Sequence, residues 1–339
     1  MNVLHLLALS ALSVSLLGLP ISHRQARGQQ TLGSIERTTE QMDQLVDSAE
    51  KIEVLATGFT WTEGPVWIGG EDGHLLFSDI PRNSIFKWQL DGTISLFMSP
   101  SGYTGVAYYG LEPGSNGLMT DLQGRLVLCE HGDRRLSVLR ENGGKQTLVD
   151  NYQGKRLNSP NDGVVKSNGD IYFTDPPYGL PSRADDPSRE LDFCGVYRLA
   201  ANGELTLLTK EIERPNGIAL SPDEKTLYIA QSDPAQANWT AFPLKQDGTL
   251  GAGKEIQNVT DRVGKEPGLP DGLAVDQQGN LWASGPGGIY VMDATGKVLG
   301  RLVTGMPTSN CCFGPDGYLY MTVDSNLCRI KTNASGLTR

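Results

Sequence analysis

The chain has 339 residues, of which 38% are apolar, and its formal net charge at pH 7 is −10. We expect no nucleic-acid partner for an acidic chain without a basic cluster, because the phosphate backbone is bound chiefly through Lys and Arg. An odd number of cysteines, five, without C-x-x-C spacing excludes a zinc framework and a dense disulfide scaffold.

The first 28 residues differ in character from the rest of the chain. An apolar run from Val3 to Leu19 is followed by small residues and then by His-Arg-Gln-Ala-Arg-Gly, which is typical of a secretory signal peptide. We therefore expect a periplasmic or secreted protein with no membrane contact after cleavage. The run lacks a preceding Lys or Arg and approaches the length of a membrane span, so an uncleaved N-terminal anchor is the alternative.

Residues 29–50 are polar with scattered apolar positions and predict a linker or a short helix. Within residues 51–335 one sequence pattern occurs six times: a polar residue, a short apolar strand, a turn with Gly or Asp, and a second apolar strand. Each copy predicts a β-hairpin. The first residues of the copies are Glu63, Asn116, Asn161, Asn216, Asp271 and Asn310.

A second predicted hairpin, such as RLSVLRENGGKQTLVDN, follows most copies and brings each repeat to four strands. Four-stranded repeats spaced by roughly 40 to 55 residues predict an all-β fold, a six-bladed β-propeller with four strands per blade. The final repeat is the last segment before the C-terminus. We therefore expect residues 52–60, IEVLATGFT, to supply the strand that closes the ring.

Two segments interrupt the repeats. Residues 99–115 are rich in Gly and Tyr, and residues 175–195 are rich in Pro and charged side chains. Long connections in a compact domain are frequently lids or binding loops, and both are expected to border the channel mouth where the hairpins begin. Ordinary surface loops are the alternative.

The leading residues of the repeats form the candidate site. In a closed ring they face a common axis, and two carboxylates with four carboxamides offer only oxygen ligands. Such a set favours one divalent cation, with Ca²⁺ first and Mg²⁺, Mn²⁺ or Zn²⁺ as alternatives. An Asn or Asp before Gly is also a common turn residue, but Glu63 is a poor one.

Several of these motifs resemble the senescence marker protein/gluconolactonase family over about residues 55 to 330. They are E-G-P-V-W from Glu63, N-D-G from Asn161, P-N-G-I-A-L-S-P-D from Pro215 and P-D-G-L-A-V-D from Pro270. The family resemblance implies a six-bladed β-propeller with a divalent cation at the channel mouth. It also implies a small-molecule lactone substrate.

Two further stretches are similar to the bacterial gluconolactonase branch of this family, K-R-L-N-S-P-N-D from Lys155 and Y-F-T-D-P-P-Y-G from Tyr172. We therefore expect hydrolysis of a sugar lactone such as glucono-1,5-lactone to the aldonic acid. In this reaction the cation polarises the carbonyl and lowers the pKa of bound water.

By motif match, Glu63, Asn216 and Asp271 take the positions of the family's metal ligands. Asn161 takes the position of the Asn that lies close to the metal and contacts a ligand or water. Asp271 also matches the residue proposed to transfer the proton. A carboxylate on a cation has a depressed pKa, however, which disfavours a strong general base.

His131, in L-C-E-H-G-D, is the second candidate for proton transfer and for substrate binding, with loop capping as its alternative. The paraoxonase lactonases resemble distant relatives and carry a His pair here. In this chain His131 matches one member and Asn116 replaces the other, so Asn116 is expected on the substrate side. Ser159 stands where animal members carry Arg, so their substrate preference is not implied. Asp175 lies where some bacterial lactonases bind a second, structural cation.

Other interpretations stay open. A propeller lactonase or esterase with another substrate and a non-catalytic propeller that binds a sugar or protein are the alternatives. A strictosidine-synthase-like propeller is disfavoured by the carboxylates at the metal positions. We predict only turn chemistry for Asn310. Cys129 and Cys328 are predicted to be buried, and one disulfide is possible among the cysteines.

Overall fold

Six antiparallel sheets follow one another along the chain and form the blades of a propeller. The computed structural model describes residues 30–337, so the predicted signal peptide lies outside the described residues. In every blade the first strand of the repeated pattern is the innermost. In blades 1 to 5 the next three strands follow outward in chain order, whereas in blade 6 the outer strand comes from the N-terminal segment. The six-bladed β-propeller predicted from the repeats is confirmed.

The elements before the first blade are β1 (Thr31–Leu32), β2 (Ser34–Arg37), α1 (Glu40–Leu45) and β3 (Ile52–Thr57). Blades 1 and 2 consist of β4 (Thr62–Ile68), β5 (His74–Asp79), β6 (Ser84–Gln89), β7 (Ile94–Met98), β8 (Ser115–Thr120), β9 (Leu126–Glu130), β10 (Arg135–Leu139) and β11 (Lys145–Val149). A small hairpin follows, formed by β12 (Asn151–Tyr152) and β13 (Lys155–Arg156).

Blades 3 and 4 consist of β14 (Gly163–Val165), β15 (Ile171–Asp175), β16 (Gly195–Leu199), β17 (Leu205–Thr209), β18 (Pro215–Leu220), β19 (Thr226–Gln231), β20 (Asn238–Pro243) and β21 (Lys254–Asn258). Blades 5 and 6 add β22 (Leu273–Val275), β23 (Leu281–Gly285), β24 (Gly288–Met292), β25 (Val298–Val303), β26 (Thr308–Phe313), β27 (Tyr318–Val323) and β28 (Asn326–Lys331). Short 3₁₀ turns occur at Arg183–Asp185 and Thr260–Arg262.

The ring closes between the two ends of the chain. Strand β3 is the outer strand of blade 6 and pairs antiparallel with β28, where Glu53 lies opposite Arg329. Each innermost strand contacts the next one around the axis, and β26 of blade 6 contacts β4 of blade 1. The closing strand expected at residues 52–60 is therefore confirmed.

The described part of the predicted linker or short helix, residues 30–50, packs against the propeller and contains the helix α1. Strand β1 extends blade 6 by pairing with β3, and β2 extends blade 5 by pairing with β25. The physical reason is the spacing of Met42, Leu45 and Val46, which gives this short segment one apolar face. All three side chains are buried in the core between blades 5 and 6.

The apolar core is divided into clusters that lie between neighbouring blades. Alternation along each strand sends successive side chains to opposite faces. On β5, for example, Leu75 and Phe77 pack against blade 6, whereas Leu76 packs against blade 2. Both faces of a blade are therefore covered by its neighbours, which holds the innermost strands in a fixed order around the channel.

Cys129 and Cys328 are fully buried, as predicted. All five cysteines lie within residues 30–337, and all are free thiols, so the predicted disulfide does not form among them. None of the helices in this part of the chain is both long enough and apolar enough to span a bilayer.

Candidate metal centre at the channel mouth

All six leading residues of the repeats enter the channel at the same end. Four lie in innermost strands, and Asn161 and Asp271 stand just before β14 and β22. Five of the six side chains are buried, whereas Asp271 keeps partial exposure. The common axis expected from the repeats thus exists, and its polar end is the candidate site.

Glycines draw the leading residues of adjacent blades together. A Cβ atom at Gly217 would lie 2.1 Å from the backbone oxygen of Asp271, and one at Gly64 would lie 2.1 Å from that of Asn116. Gly64 also has a φ of +50°, which disfavours other residues. The glycine after the polar residue therefore sets how closely the innermost strands approach.

Hydroxyl groups at the end of the second strand connect each of four blades to the next one. They donate to the backbone oxygen of the next leading residue or of the residue before it, at distances of 2.7 to 2.9 Å. The pairs are Ser78 to Asn116, Thr174 to Asn216, Ser232 to Pro270 and Ser284 to Ser309. These bonds fix the backbone that carries the site.

Asn216 is held by its amide nitrogen, which leaves its oxygen free. Nδ2 donates to Ser232 Oγ at 2.8 Å, and Asn216 also hydrogen bonds to the Asp271 carboxylate. The Asn216 Oδ1 atom is buried and has no hydrogen-bond partner. A buried acceptor without a donor is costly, so this oxygen is oriented for a group that the chain itself does not supply.

Three carboxylates near Asn216, those of Glu63, Asp162 and Asp271, lie close enough for their charges to influence one another. Burial raises the pKa of Glu63 to about 8, although the N–H of Gly64 opposes the shift, and the charge of Asp162 adds to it. Burial also raises the pKa of Asp271 well above its usual range, and Glu63 and Asp162 increase this effect. Among the described residues no Lys or Arg forms an ion pair with these three groups. Uncompensated buried carboxylates call for a positive charge.

The donor set fits a hard divalent cation. Glu63, Asn216 and Asp271 offer carboxylate and amide oxygens, the ligands that Ca²⁺ and Mg²⁺ prefer. Within residues 30–337 no three His, Cys, Asp or Glu side chains form a group that could hold a metal ion. The fit therefore depends on the amide oxygen as well as on the carboxylates.

His131 and Asn116 form a second polar pair at the mouth, carried by blade 2. His131 is fully buried, and its Nε2 lies 3.4 Å from Nδ2 of Asn116. An accepting Nε2 places the imidazole proton on Nδ1, whose carboxylate neighbour is Glu112 Oε2 at 3.7 Å. Burial lowers the pKa of His131 to about 4, so the ring is neutral at pH 7 and a weak base. Asn116 Oδ1 is buried without a partner.

Asp162 is a site residue that the sequence analysis missed. It is buried, and burial raises its pKa to about 7. In N-D-G it is Asp162, not Asn161, that stands directly before glycine, as Glu63 and Asn216 do in their repeats. Alignment on the glycine would have found it. Asn161 is placed by its backbone, whose oxygen accepts a hydrogen bond from Gly117 at 2.7 Å.

Asn310 does more than form a turn, so the prediction of turn chemistry alone is wrong. Its Nδ2 lies 3.3 Å from Glu63 Oε2 and 3.4 Å from Asp162 Oδ2. One amide therefore separates two carboxylates, while its own oxygen accepts a hydrogen bond from the N–H of Cys311. No signal in its repeat, N-C-C-F, distinguishes this role.

Both interrupting segments border the mouth, as expected. The first carries Glu112, whose pKa burial raises to about 7. The second begins at Asp175, whose two carboxylate oxygens accept the N–H groups of Asn158 and Ser159 at 2.8 Å. Ser159 Oγ donates to the backbone oxygen of Pro176, so it links the loop before Asn161 to the second segment. Asp175 thus braces the loop before Asn161, and its oxygens already have donors.

A six-bladed β-propeller with buried oxygen donors at one end of its channel defines the class of protein. The chain belongs to the SMP-30/Gluconolactonase/LRE-like family, which it matches over residues 61–325. It is thus a gluconolactonase-like hydrolase.

The chain is similar to three proteins that illustrate the range of the family. It is 40% identical to a gluconolactonase of Zymomonas mobilis, with 90% of this chain and 88% of that protein covered. It is 26% identical to human regucalcin, with 81% and 87% covered. A solved gluconolactonase from Xanthomonas campestris has a TM-score of 0.78 at 33% identity, and the match covers 91% of this chain and 99% of that one.

Proposed function

We propose that this protein hydrolyses a sugar lactone of the glucono-1,5-lactone type to the aldonic acid, with the help of one divalent cation. The observation that carries the proposal is the buried, unpartnered oxygen of Asn216 beside the carboxylates of Glu63 and Asp271. The similarity to the Zymomonas mobilis gluconolactonase supports the substrate class.

Glu63, Asn216 and Asp271 would hold the cation, with Asn161 beside it, and Ca²⁺ is the favoured ion because every donor is an oxygen. A solved structure of regucalcin from Agrobacterium tumefaciens, described as a calcium-binding protein, shares the fold at a TM-score of 0.66. When bound, a divalent cation supplies Lewis acidity for the lactone carbonyl and lowers the pKa of water.

The chain's own residues bind the lactone and move the proton. Asn116 and Asn161 orient the substrate through amide groups, and the neutral His131 offers hydrogen bonds to a sugar hydroxyl. Asp271, the one leading residue that keeps partial exposure, accepts the proton of the attacking water and returns it to the ring oxygen when the C–O bond breaks. We prefer Asp271 to His131 as the proton acceptor because burial lowers the pKa of His131.

The test is lactone hydrolysis after chelation, with Ca²⁺, Mg²⁺, Mn²⁺ or Zn²⁺ added back and the spontaneous rate subtracted. Glu63→Gln and Asp271→Asn are each expected to reduce the rate of metal-stimulated hydrolysis by more than roughly 10- to 100-fold, the loss that is typical of residues outside the ligand shell. Glu141→Gln removes an exposed carboxylate from a turn and serves as the control.

Two outcomes would change the proposal. Metal-stimulated hydrolysis retained in both Glu63→Gln and Asp271→Asn would overturn the assignment of the site. Hydrolysis of no lactone by the wild type would favour a propeller that only binds a sugar or protein.

We also propose that the protein is exported to the periplasm or secreted. The apolar run at Val3 to Leu19 supports this proposal. N-terminal sequencing of the protein from fractionated cells tests it, and an intact N-terminus in the cytoplasmic fraction would contradict it.

A further inference from the structure

A cavity of about 230 Å³ lies beside the candidate metal centre. Its polar lining consists of Tyr178, Arg183, Arg214 and Ser232, and prolines and a leucine form much of the rest. We call it the arginine pocket. Its volume lies below the about 300 to 1,000 Å³ of sites for drug-sized ligands, so it has room for part of a small ligand.

The arginine pocket shares a wall with the candidate metal centre. Ser232 lines the pocket and also accepts the 2.8 Å hydrogen bond from Asn216 Nδ2. Tyr178 lies close to Asp271: burial raises the pKa of Tyr178, and the carboxylate of Asp271 raises it further. A small molecule whose reacting carbonyl is at the candidate metal centre would therefore lie next to the pocket.

Neither guanidinium is saturated by the protein. Arg183 Nη2 lies 3.7 Å from Glu112 Oε1, longer than the about 2.7 to 2.9 Å of a direct charged hydrogen bond. Arg214 donates through Nη1 to the backbone oxygen of Glu213 at 2.9 Å and to its exposed carboxylate at 3.1 Å. Since a guanidinium carries five N–H donors, both arginines retain donors for a ligand.

The side chains that line the arginine pocket favour a ligand that is negatively charged and accepts hydrogen bonds. Among the described residues no carboxylate lines the arginine pocket, although the whole chain carries a net charge of −10. Arginine binds carboxylate and phosphate groups in a bidentate manner, which Lys does not. Arg183 has a φ of +52°, an unfavourable backbone conformation for a residue other than glycine and one that is enriched at ligand sites.

We propose that the arginine pocket binds an anionic substituent, a carboxylate or a phosphate, at the end of the lactone remote from its reacting carbonyl. This inference rests on the proposed lactonase function and narrows its substrate to the lactones of acidic sugars. The neutral glucono-1,5-lactone then fills the metal centre but leaves both guanidinium groups without a partner.

The experiment compares kcat/KM at a fixed Ca²⁺ concentration for three lactones. They are neutral glucono-1,5-lactone, its 6-phosphate and a glucarolactone, so that the two charged arms separate phosphate from carboxylate. The wild type is expected to prefer a charged lactone at least about tenfold, since hydrogen bonds to charged groups are strong. Arg183→Ala and Arg214→Ala should each reduce that preference, and added NaCl should weaken it.

The matched control is Arg125→Ala, which removes one positive charge at the opposite end of blade 2, where Arg125 pairs with Asp121. It is expected to leave the preference unchanged. Thermal melts confirm that all variants are folded.

Each outcome decides the inference separately from the proposed function. Hydrolysis of the neutral lactone without faster hydrolysis of either charged one overturns the pocket assignment alone. If no lactone is hydrolysed, the lactonase proposal fails. Calorimetric titration of the Ca²⁺-loaded protein with 6-phosphogluconate and glucarate then decides whether the pocket binds anions. Binding that is lost in the Arg183→Ala, Arg214→Ala double variant supports it, and no binding overturns it.

Discussion

A single hydroxyl group, that of Ser232, orients the amide of Asn216. Ser232 Oγ accepts a hydrogen bond from the amide nitrogen and donates one to the Pro270 backbone oxygen at 2.7 Å. Because the nitrogen and the oxygen of an amide lie on opposite branches, holding the nitrogen also fixes the direction of Oδ1, which is buried without a partner. Ser232 therefore acts through Asn216 and would be a positioning residue for the proposed cation.

We expect Ser232→Ala to weaken Ca²⁺ binding by about 10- to 100-fold, the range seen for outer-shell partners of metal ligands. Without the hydroxyl, the Asn216 amide can rotate and offer its nitrogen to the cation. Isothermal titration calorimetry measures the affinity. Ser221→Ala is the control, because that hydroxyl lies at the far end of the same blade and contacts Asp223. Equal affinities in the two variants would contradict the positioning role.

The cluster of carboxyl groups predicts how stability depends on pH in the absence of a cation. Burial raises the pKa of Glu63 to about 8 and that of Asp162 and Asp175 to about 7. A raised carboxyl pKa means that the folded protein binds more protons than the unfolded chain, so stability falls as pH rises towards the folded pKa. His131 contributes with the opposite sign below pH 6.5, because its pKa is lowered.

We therefore expect the Tm of the chelated protein to fall by a few degrees between pH 6.5 and pH 8. Saturating Ca²⁺ should flatten this dependence, since it stabilises the ionised carboxylates. Glu63→Gln removes one titrating group and should reduce the slope in the chelated protein. A Tm that is constant or rises over this range without a cation would show that the carboxylates are already compensated.

At the scale of strands, the glycine that follows the leading residue determines how closely neighbouring innermost strands pack, and thereby where the residues of the candidate site lie. Gly217 in β18 lies against the backbone of Asp271, so each blade determines the position of the next leading residue. We expect Gly217→Ala to destabilise the fold by about 3 kcal/mol or more, because the added Cβ forces backbone apart. It should also weaken Ca²⁺ binding by displacing Asp271.

Gly70→Ala is the matched control for Gly217→Ala. A Cβ at Gly70, in the turn at the other end of blade 1, would meet no atom within 4 Å. Urea denaturation and Ca²⁺ titration of both variants check the prediction. Equal free energies of unfolding for Gly217→Ala and Gly70→Ala would contradict the prediction. They would mean that the innermost strands can move apart to accept a Cβ at little cost.

At the scale of the whole molecule, the N-terminal segment has two different roles. Strand β3 closes the ring, whereas residues 30–50 cover the edges of blades 5 and 6 with Met42, Leu45 and Val46 buried between them. A chain that begins at residue 51 should fold with six blades but with a Tm lower by on the order of 10 °C, because it leaves this apolar surface exposed.

A chain that begins at residue 59 lacks β3 and provides the contrasting variant. We expect it to show no cooperative thermal transition, because blade 6 would present an unpaired edge at β28. Calorimetry distinguishes the two truncations. Equal behaviour of both chains would mean that ring closure does not require β3.

The repeats predicted the fold because they are local: a polar residue, a strand, a glycine turn and a second strand lie within about 17 residues of sequence. Periodic hairpins at regular spacing have few ways to bury both faces, and a closed ring of blades is one of them. The same argument placed Glu63, Asn116, Asn161, Asn216, Asp271 and Asn310 at one end of the channel.

The tertiary structure decided the pairings between residues that are far apart in the sequence. Asn310 bridges Glu63 and Asp162 across 247 and 148 positions, and nothing local marks such contacts. Glu112 comes from an irregular loop that the repeat does not describe. Arg183 and Arg214 lie in different segments and meet only because the second interrupting loop packs over blade 4.

By itself, then, the sequence determined the ring, because the repeat spacing and hairpin patterning are properties of single segments. Only the tertiary structure decided which polar groups lack a partner, since that depends on every neighbour in space. The buried oxygen of Asn216 has no partner, whereas the exposed guanidinium of Arg183 has a neighbour only in Glu112 at 3.7 Å. These groups define where a cation and an anion would bind.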